Sequence, residues 1–365
     1  MKVLTVGGAM IDTIAVIDDA LIERMIMNNA DRAFLLLEEG RKTEASIIST
    51  HPGGGAINSA VSFARLGFSV TALVKLGRDT RAQAIRGALA AEGVSPALIV
   101  ETDAAGTGAS VLVSAHERNA AIFTFRGANS FLEISDLVQA GFSQDIVYIT
   151  GLSNKSADVF PDIVDRATAH GAFVAANPGI RQLAARGDAF QKALLKISLL
   201  SMNREEAATL LPRLIERHPK PLRTYLPPVT RKTPDLMRRG LSASGFEMTL
   251  PQFCEALLSL GPQCILVTDG KRGAYAAVGG EIVFCPSLAT NVVGTAGAGD
   301  AFISTFTAMY ANGVLPGEAL QYAATNASSV VEFADTQSGL LNWTHLNEAF
   351  ALNKDRLPLS YWAAA

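Results

Sequence analysis

Six short runs, KVLTVG, SVTALVKLG, QDIVYITGL, GAFVAAN, LLSMN and CILVTDG, are apolar along almost their whole length and run out at a Gly or Asn. A run that is apolar throughout, with no strict alternation, reads as a strand buried on both faces. Longer helical patterns separate these runs, among them INSAVSFARLG (57–67), TRAQAIRGALAAEG (80–93) and SADVFPDIVDRATAHG (156–171). Strand–helix alternation of this kind predicts an α/β fold, with a mostly parallel central sheet covered by helices in three α/β/α layers. Such sheets bind ligands beyond the carboxyl ends of their strands. Gly8, Gly77, Gly151, Asn177, Asn203 and Gly270 stand at those ends.

Three stretches break the alternation. Residues 13–51 carry hairpin-like pieces and no crossover helix. Residues 106–126 read as two strands joined by a polar turn at HERN. Together these two segments predict a small second sheet that covers the main domain as a lid. Residues 212–250 hold six prolines and many Lys and Arg, and are expected as an inserted surface excursion. Everything else fits one domain over 1–365, since 49% hydrophobic residues supply a large core.

Charge and cysteines narrow the function. A formal net charge of −3 with no dense basic block argues against a nucleic-acid interface. Cys254, Cys264 and Cys285 lack metal-site spacing and read as reduced, buried thiols. The apolar start is interrupted by Asp12 and reads as a first strand rather than a signal peptide. No apolar stretch is long enough to span a bilayer, so no membrane role and a cytoplasmic location are expected.

Chemistry concentrates in four places. In GTAGAGDAF, the Gly294–Gly299 turn precedes Asp300, which opens a helix. Small residues and unpaired helix-start N–H groups suit an anion. Asp300 there is either a base that takes a proton from an attacking hydroxyl or a plain helix cap. In HPGGGAINSA, three glycines precede a helix with Asn58 on its first turn; the amide both donates and accepts, which suits vicinal hydroxyls. This is a near miss to a dinucleotide fingerprint and lacks its strand and ribose-binding acid. In VGGAMID, Asp12 follows the first strand and two glycines. In SMNREEA, Asn203 and Glu206 share an N-x-x-E spacing that either orients hydrated Mg²⁺ or starts a helix.

In this order, GGGAINSA (53–60) and GTAGAGDAF (294–302) resemble the two signatures of the ribokinase-like carbohydrate kinases, a family that includes adenosine kinases. GRDTRAQAIRGALAAEGV, TGASVLVSAHERNAAIFTFRGAN, VTDGKRGAY and AATNASS also resemble family segments, so the likeness covers nearly the whole chain outside 212–250. The resemblance implies an ATP- and Mg²⁺-dependent phosphotransferase for a hydroxyl of a sugar or nucleoside. It implies that Asp300 is the base, with the N–H groups of Gly297, Ala298 and Gly299 as anion hole and Arg126 facing the transferred phosphate. Asp12, Gly54, Gly55 and Asn58 would hold the acceptor. Asn203, Thr268, Gly270, Gly273 and Asn326 would line the ATP site, with Glu206 acting on Mg²⁺ through water.

Two departures stand out. Gly294 replaces an Asp that often helps the family bind a monovalent cation, which puts potassium activation in question. Ala82 replaces a common glycine in the G-x-D segment. Phe34, Leu35, Leu36 and Leu37 either contact a nucleoside base or pack the lid. A homodimer through exposed edges of the lid is a further expectation. The alternative function is a nucleotide- or sugar-binding regulator that keeps this fold without catalysis.

Overall fold

The computed structural model describes all residues except 19–22, 28–31, 37–39, 41, 116–119, 186–189, 191, 218–229, 231–232 and 364–365. The strands, in chain order, are β1 (Lys2–Val6), β2 (Met10–Ile17), β3 (Glu23–Met27), β4 (Arg32–Leu36), β5 (Ala45–Gly53), β6 (Ser69–Gly77), β7 (Ile99–Thr102), β8 (Gly108–Ala115) and β9 (Ala120–Phe125). They continue as β10 (Ile146–Ile149), β11 (Phe173–Ala176), β12 (Leu199–Asn203), β13 (Leu241–Ala243), β14 (Phe246–Met248), β15 (Cys264–Thr268), β16 (Ala274–Val278), β17 (Glu281–Cys285) and β18 (Ser360–Ala363).

A 10-stranded sheet runs β18-β17-β16-β15-β12-β11-β10-β1-β6-β7. Every pairing from β15 to β7 is parallel, and β16, β17 and β18 extend it antiparallel. All six apolar runs are strands of this sheet. Their unbroken apolarity has the expected cause. Along β10, Val147 and Ile149 join one core while Ile146 and Tyr148 join the other. The helices Phe160–Ala169, Arg204–Arg217 and Leu250–Leu258 cover the first face, and Gly55–Arg65, Thr80–Ala91, Ala298–Ala311 and Pro316–Val330 cover the second.

A separate four-stranded sheet runs β5-β2-β8-β9. It branches from the main sheet where β1 ends, after the Gly7–Gly8 pair. Asn129 holds this branch point, accepting from the Ala9 N–H at 2.9 Å and donating to the Ala9 carbonyl at 2.8 Å. The β3–β4 hairpin forms a further two-stranded unit. Leu35 packs with Ile17, Ala45 and Val113, whereas Leu36 is exposed. The HERN turn, Leu37 and the side chain of Phe34 lie outside the described residues. The three cysteines are free and buried, and burial pushes the Cys254 and Cys285 thiols up to about 12. Among the described residues no helix is long and apolar enough to cross a membrane.

The 212–250 stretch corrects the expectation of a surface excursion. Residues through Arg217 continue the helix begun at Arg204, with Pro212 inside it. Beyond the undescribed residues, Leu236, Met237, Leu241, Met248 and Leu250 are buried in the first core. The prolines and basic residues mask an apolar subset that is too irregularly spaced to show a period. Leu236→Ala is therefore expected to cost about 2–5 kcal/mol, as for any fully buried leucine. Urea denaturation checks this; a loss within about 0.5 kcal/mol would return the segment to the surface.

Candidate active site

The parallel strands deliver Gly8, Thr150, Asn177 and Asn203 to one end of the sheet. The start of the Ala298–Ala311 helix meets them there. Gly297 caps that helix in the left-handed region, at φ 78. A side chain at 297 would also lie 2.7 Å from Cβ of Thr336, so glycine is required twice over. The first intrahelical bond is Ala301 N–H to the Gly297 carbonyl at 2.9 Å. The N–H groups of Ala298, Gly299 and Asp300 precede it and have no intrahelical partner. Nothing lies within 4 Å of a side chain placed on Gly299, so the space beside that residue is open.

Asp300 sits half-buried in that first turn and accepts from Asn58 Nδ2 at 2.7 Å. Asn58 is itself buried on the first turn of the Gly55–Arg65 helix. Gly54, at φ 96, starts this helix; a Cβ there would lie 2.6 Å from the Gly8 carbonyl oxygen. Asn58 Oδ1 accepts from Thr336 Oγ1 at 2.9 Å and from Gln337 Nε2 at 3.1 Å. This narrows the expected role of Asn58. Its accepting capacity is filled within the fold, and one amide hydrogen is left for an acceptor molecule.

Asp12, on β2, is 9% exposed. It accepts a short hydrogen bond from Ser110 on β8, and His51 on β5 is its cross-strand neighbour. Its other oxygen lies across Gly53, where any side chain would collide with it. A cavity of about 220 Å³ lies between the two sheets' ends, lined in part by Gly8, Gly55, Arg126, Asn177, Glu206 and Asp300. Arg126 donates to Ser153 Oγ at 2.9 Å on its wall.

Three carboxylates are perturbed here. Burial raises the Asp300 pKa; the Asn58 N–H opposes this and the charge of Asp12 adds to it. Burial likewise raises Asp12, against the Ser110 hydrogen bond and the nearby His51. Burial pushes Glu206 up to about 7, opposed by the Asn203 N–H and reinforced by Glu205 and Asp300. Asn203 and Glu206 bond reciprocally, each side chain to the other's backbone N–H at 2.9 Å.

Thr268, Gly270 and Gly273 form one turn beside Asn203, because Asn203 pairs with Thr268 across β12 and β15. Gly270 (φ 55) is exposed, and Gly273 (φ 113) packs on the Cys285 carbonyl. Asp269 anchors this turn. It is buried, and both its oxygens accept from Arg272, at 2.7 and 2.6 Å. Asn326 is corrected: it is fully buried, donating to Thr305 Oγ1 at 2.8 Å and accepting from the Leu341 N–H at 3.0 Å. It braces helices inside the core and presents nothing to a nucleotide. Gly294 lies against the Phe333 carbonyl, 2.9 Å from where a side chain would begin, so a carboxylate there has no room. Sequence reading missed Ser110, His51, Thr336 and Gln337. ADTQSG reads as a loop, and nothing in the sequence ties it to a helix 278 residues away.

The family model of the pfkB carbohydrate kinases matches residues 12–232 and 246–343. The chain belongs to the pfkB family of carbohydrate kinases. The family match leaves unmatched only 233–245 within the stretch expected to be inserted. Deoxyribokinase of Salmonella typhi is 25% identical over 352 residues, 93% of this chain and 99% of that protein. Ribokinase of Staphylococcus aureus is 23% identical over 297 residues, 80% of this chain and 82% of its own. Among solved structures, Arabidopsis thaliana ribokinase with ribose and ATP has TM-score 0.68 at 20% identity, covering 95% of this chain and 98% of its own. The nucleoside kinase of Methanocaldococcus jannaschii has TM-score 0.69 at 17% identity, covering 96% and 98%. An Escherichia coli structure of the same fold, in complex with ATP and Mg²⁺, has TM-score 0.73 at 17% identity, covering 96% and 99%. This pfkB family member is an ATP-dependent carbohydrate kinase with a ribokinase-like fold.

The Glu206 shift has a stability consequence. Its ordinary value is 4.5, and in the fold it is about 7. Between those values the unfolded chain releases the proton while the fold holds it, so stability is lost as pH rises through this window. Glu206→Gln removes that loss. Without nucleotide, the variant is expected to gain on the wild type by on the order of 1–3 kcal/mol between about pH 4 and pH 8. Urea midpoints at both pH values check it; a pH-independent difference would show that Glu206 ionises normally.

Proposed function

We propose that this kinase moves the γ-phosphate of ATP to a primary hydroxyl of a monosaccharide, with Asp300 as the base that takes the hydroxyl proton. The supporting observation is the placement of the Asp300 carboxylate on the cavity wall, in the first turn of a helix whose leading N–H groups have no intrahelical partner. A carboxylate beside an anion-binding turn is poor design for binding alone and good design for proton removal at phosphorus. In this reading the turn Gly297–Gly299 receives charge on the transferring group, and Arg126, which lines the same cavity as Asp300, adds positive charge. Asp12 orients the acceptor through the oxygen that Ser110 leaves open. Relatives named deoxyribokinase and ribokinase favour a pentose or deoxypentose.

Mg²⁺ fits the residues present. Glu206 is raised in part by Asp300, a mutual repulsion that a cation would relieve. Among the described residues no group of three or more acidic, His or Cys side chains forms a metal cage. That pattern suits an ion held by phosphates and water, with Glu206 in the outer sphere. When bound, Mg²⁺ would supply positive charge against the charge developing on the phosphates, with Glu206 holding it through water. The β5-β2-β8-β9 sheet serves as a lid in this reading, excluding water from the transfer.

ADP release with ATP, Mg²⁺ and a panel of pentoses, deoxypentoses, hexoses and nucleosides tests the proposal. Asp300→Asn is expected to lower kcat by about 10²–10⁴-fold while ATP affinity stays. Because Asp300 must be ionised and its pKa is raised, the acid limb of the wild-type profile should fall above the ordinary carboxylate range. ATP binding without acceptor-dependent turnover would instead support a silent regulator. The exposed Ile48, Ile122, Phe123 and Phe125 on the lid sheet suit a homodimer. Light scattering should give twice the chain mass; a monomer at micromolar concentration rejects the dimer.

A further inference from the structure

An asparagine amide can sit either way round, and only one way helps a carboxylate base. With Nδ2 toward Asp300 it donates; with Oδ1 there it repels. The polarity is set by a chain of groups with fixed roles. The Pro52 carbonyl can only accept. It accepts from Gln337 Nε2 at 2.9 Å, which fixes the Gln337 amide. The same Nε2 donates to Asn58 Oδ1 at 3.1 Å, and Thr336 Oγ1 donates to that oxygen at 2.9 Å. The Asn58 oxygen is thereby filled and turned away from Asp300, leaving Nδ2 to donate to it at 2.7 Å.

The loop that carries these donors is itself held. Arg65, at the far end of the helix that bears Asn58, donates to the Gln337 and Leu340 carbonyls at 2.7 and 2.8 Å. Glu92 accepts from the same guanidinium at 2.6 and 3.0 Å. Asp335 closes the loop from within, accepting from the N–H groups of Gln337 and Ser338 at 2.9 and 2.8 Å. Thr336 is buried, and it packs under Gly297, the residue that caps the anion-binding turn.

We propose that Gln337 and Thr336 are positioning residues that lock the Asn58 amide with its N–H toward Asp300. They touch no reacting atom and act on turnover through Asn58. The proposal rests on Asp300 being the base.

Gln337→Glu is the sharp test, because it keeps shape and replaces the donor by a group that cannot donate to Pro52 or Asn58. Thr336→Val removes the second donor, and Thr336→Ser restores it. Initial rates are measured with ATP, Mg²⁺ and D-ribose or 2-deoxy-D-ribose, and with water as acceptor where neither sugar turns over. Gln337→Glu is expected to lower kcat by 10-fold or more with KM for sugar within about threefold, about 1.4 kcal/mol per tenfold. Thr336→Val should lose less, and Thr336→Ser should match the wild type. In an Asn58→Ala background, neither Gln337→Glu nor Thr336→Val should cost anything further, since the amide they orient is gone.

A Gln337→Glu kcat within twofold of wild type, or an undiminished loss in the Asn58→Ala background, would overturn the lock. Should Gln337→Glu lose its cooperative melting, the Thr336→Val, Thr336→Ser and Asn58→Ala set decides alone. Asp300→Asn, run beside them, separates the two claims. An inactive Asp300→Asn with a normal Gln337→Glu removes the lock and keeps the base; an active Asp300→Asn removes both.

Discussion

The 2.7 Å bond from Asn58 to Asp300 joins residues 242 positions apart, and the whole site is organised around it. It exists because two helices start at the same place. One begins at Gly55 after a glycine turn; the other begins at Ala298 after the same device. Their axes are held close by small residues along the contact. Ser304 Oγ bonds Ser62 Oγ at 2.7 Å, and Val61 packs with Ala301, Val330 and Leu340. A larger residue at Ala301 or Ser304 would separate the helices and lengthen the bond at their tips. The apolar faces that hold this pair on the sheet thus determine a distance between two polar atoms.

The electrostatics follow from the same geometry. Asp12, Asp300 and Glu206 arrive on three different elements, and each is raised by burial before any charge is counted. Coulomb repulsion among them adds to the cost of ionising all three. The fold offsets this locally, with Ser110 on Asp12, Asn58 on Asp300 and the Asn203 N–H on Glu206. One hydrogen bond per carboxylate is modest support for a buried charge. The site is built for cationic and hydrogen-bond-donating company, which a cation and the hydroxyls of an acceptor would supply in the proposed reaction.

How much of this was legible in the sequence depended on whether a residue's role is local. The six strands of the main sheet declared themselves because burial on both faces leaves a continuous apolar run. Asp300, Gly297, Gly54 and Asn58 declared themselves because glycine turns and helix starts are short-range patterns. The partners of Asn58 did not. Thr336 and Gln337 lie in a loop whose composition says only turn, and their significance arises from packing under Gly297. Asn326 failed in the opposite sense: the resemblance of AATNASS to a family segment implied a ligand contact, whereas Thr305 and the Leu341 N–H already occupy its amide. Leu236 and Met237 were hidden by the prolines and charges around them. In each case the missing information was which distant backbone group the side chain meets.

The two sheets divide the proposed labour between them. Asp12 belongs to the small sheet and Asp300 to the body, so an acceptor bonded to both ties one sheet to the other. The branch point between them is stiff on one side: Asn129 bonds both the N–H and the carbonyl of Ala9. The adjacent glycines are held as well: the Gly7 N–H donates to the Leu73 carbonyl at 3.4 Å, and the Gly8 carbonyl accepts from the Ala56 N–H at 3.1 Å. Bringing Asp12 toward Asp300 raises the repulsion between them unless a hydroxyl stands between the two carboxylates to donate. In the proposed reaction, closure without acceptor would be opposed by the same charges that closure with acceptor would put to use.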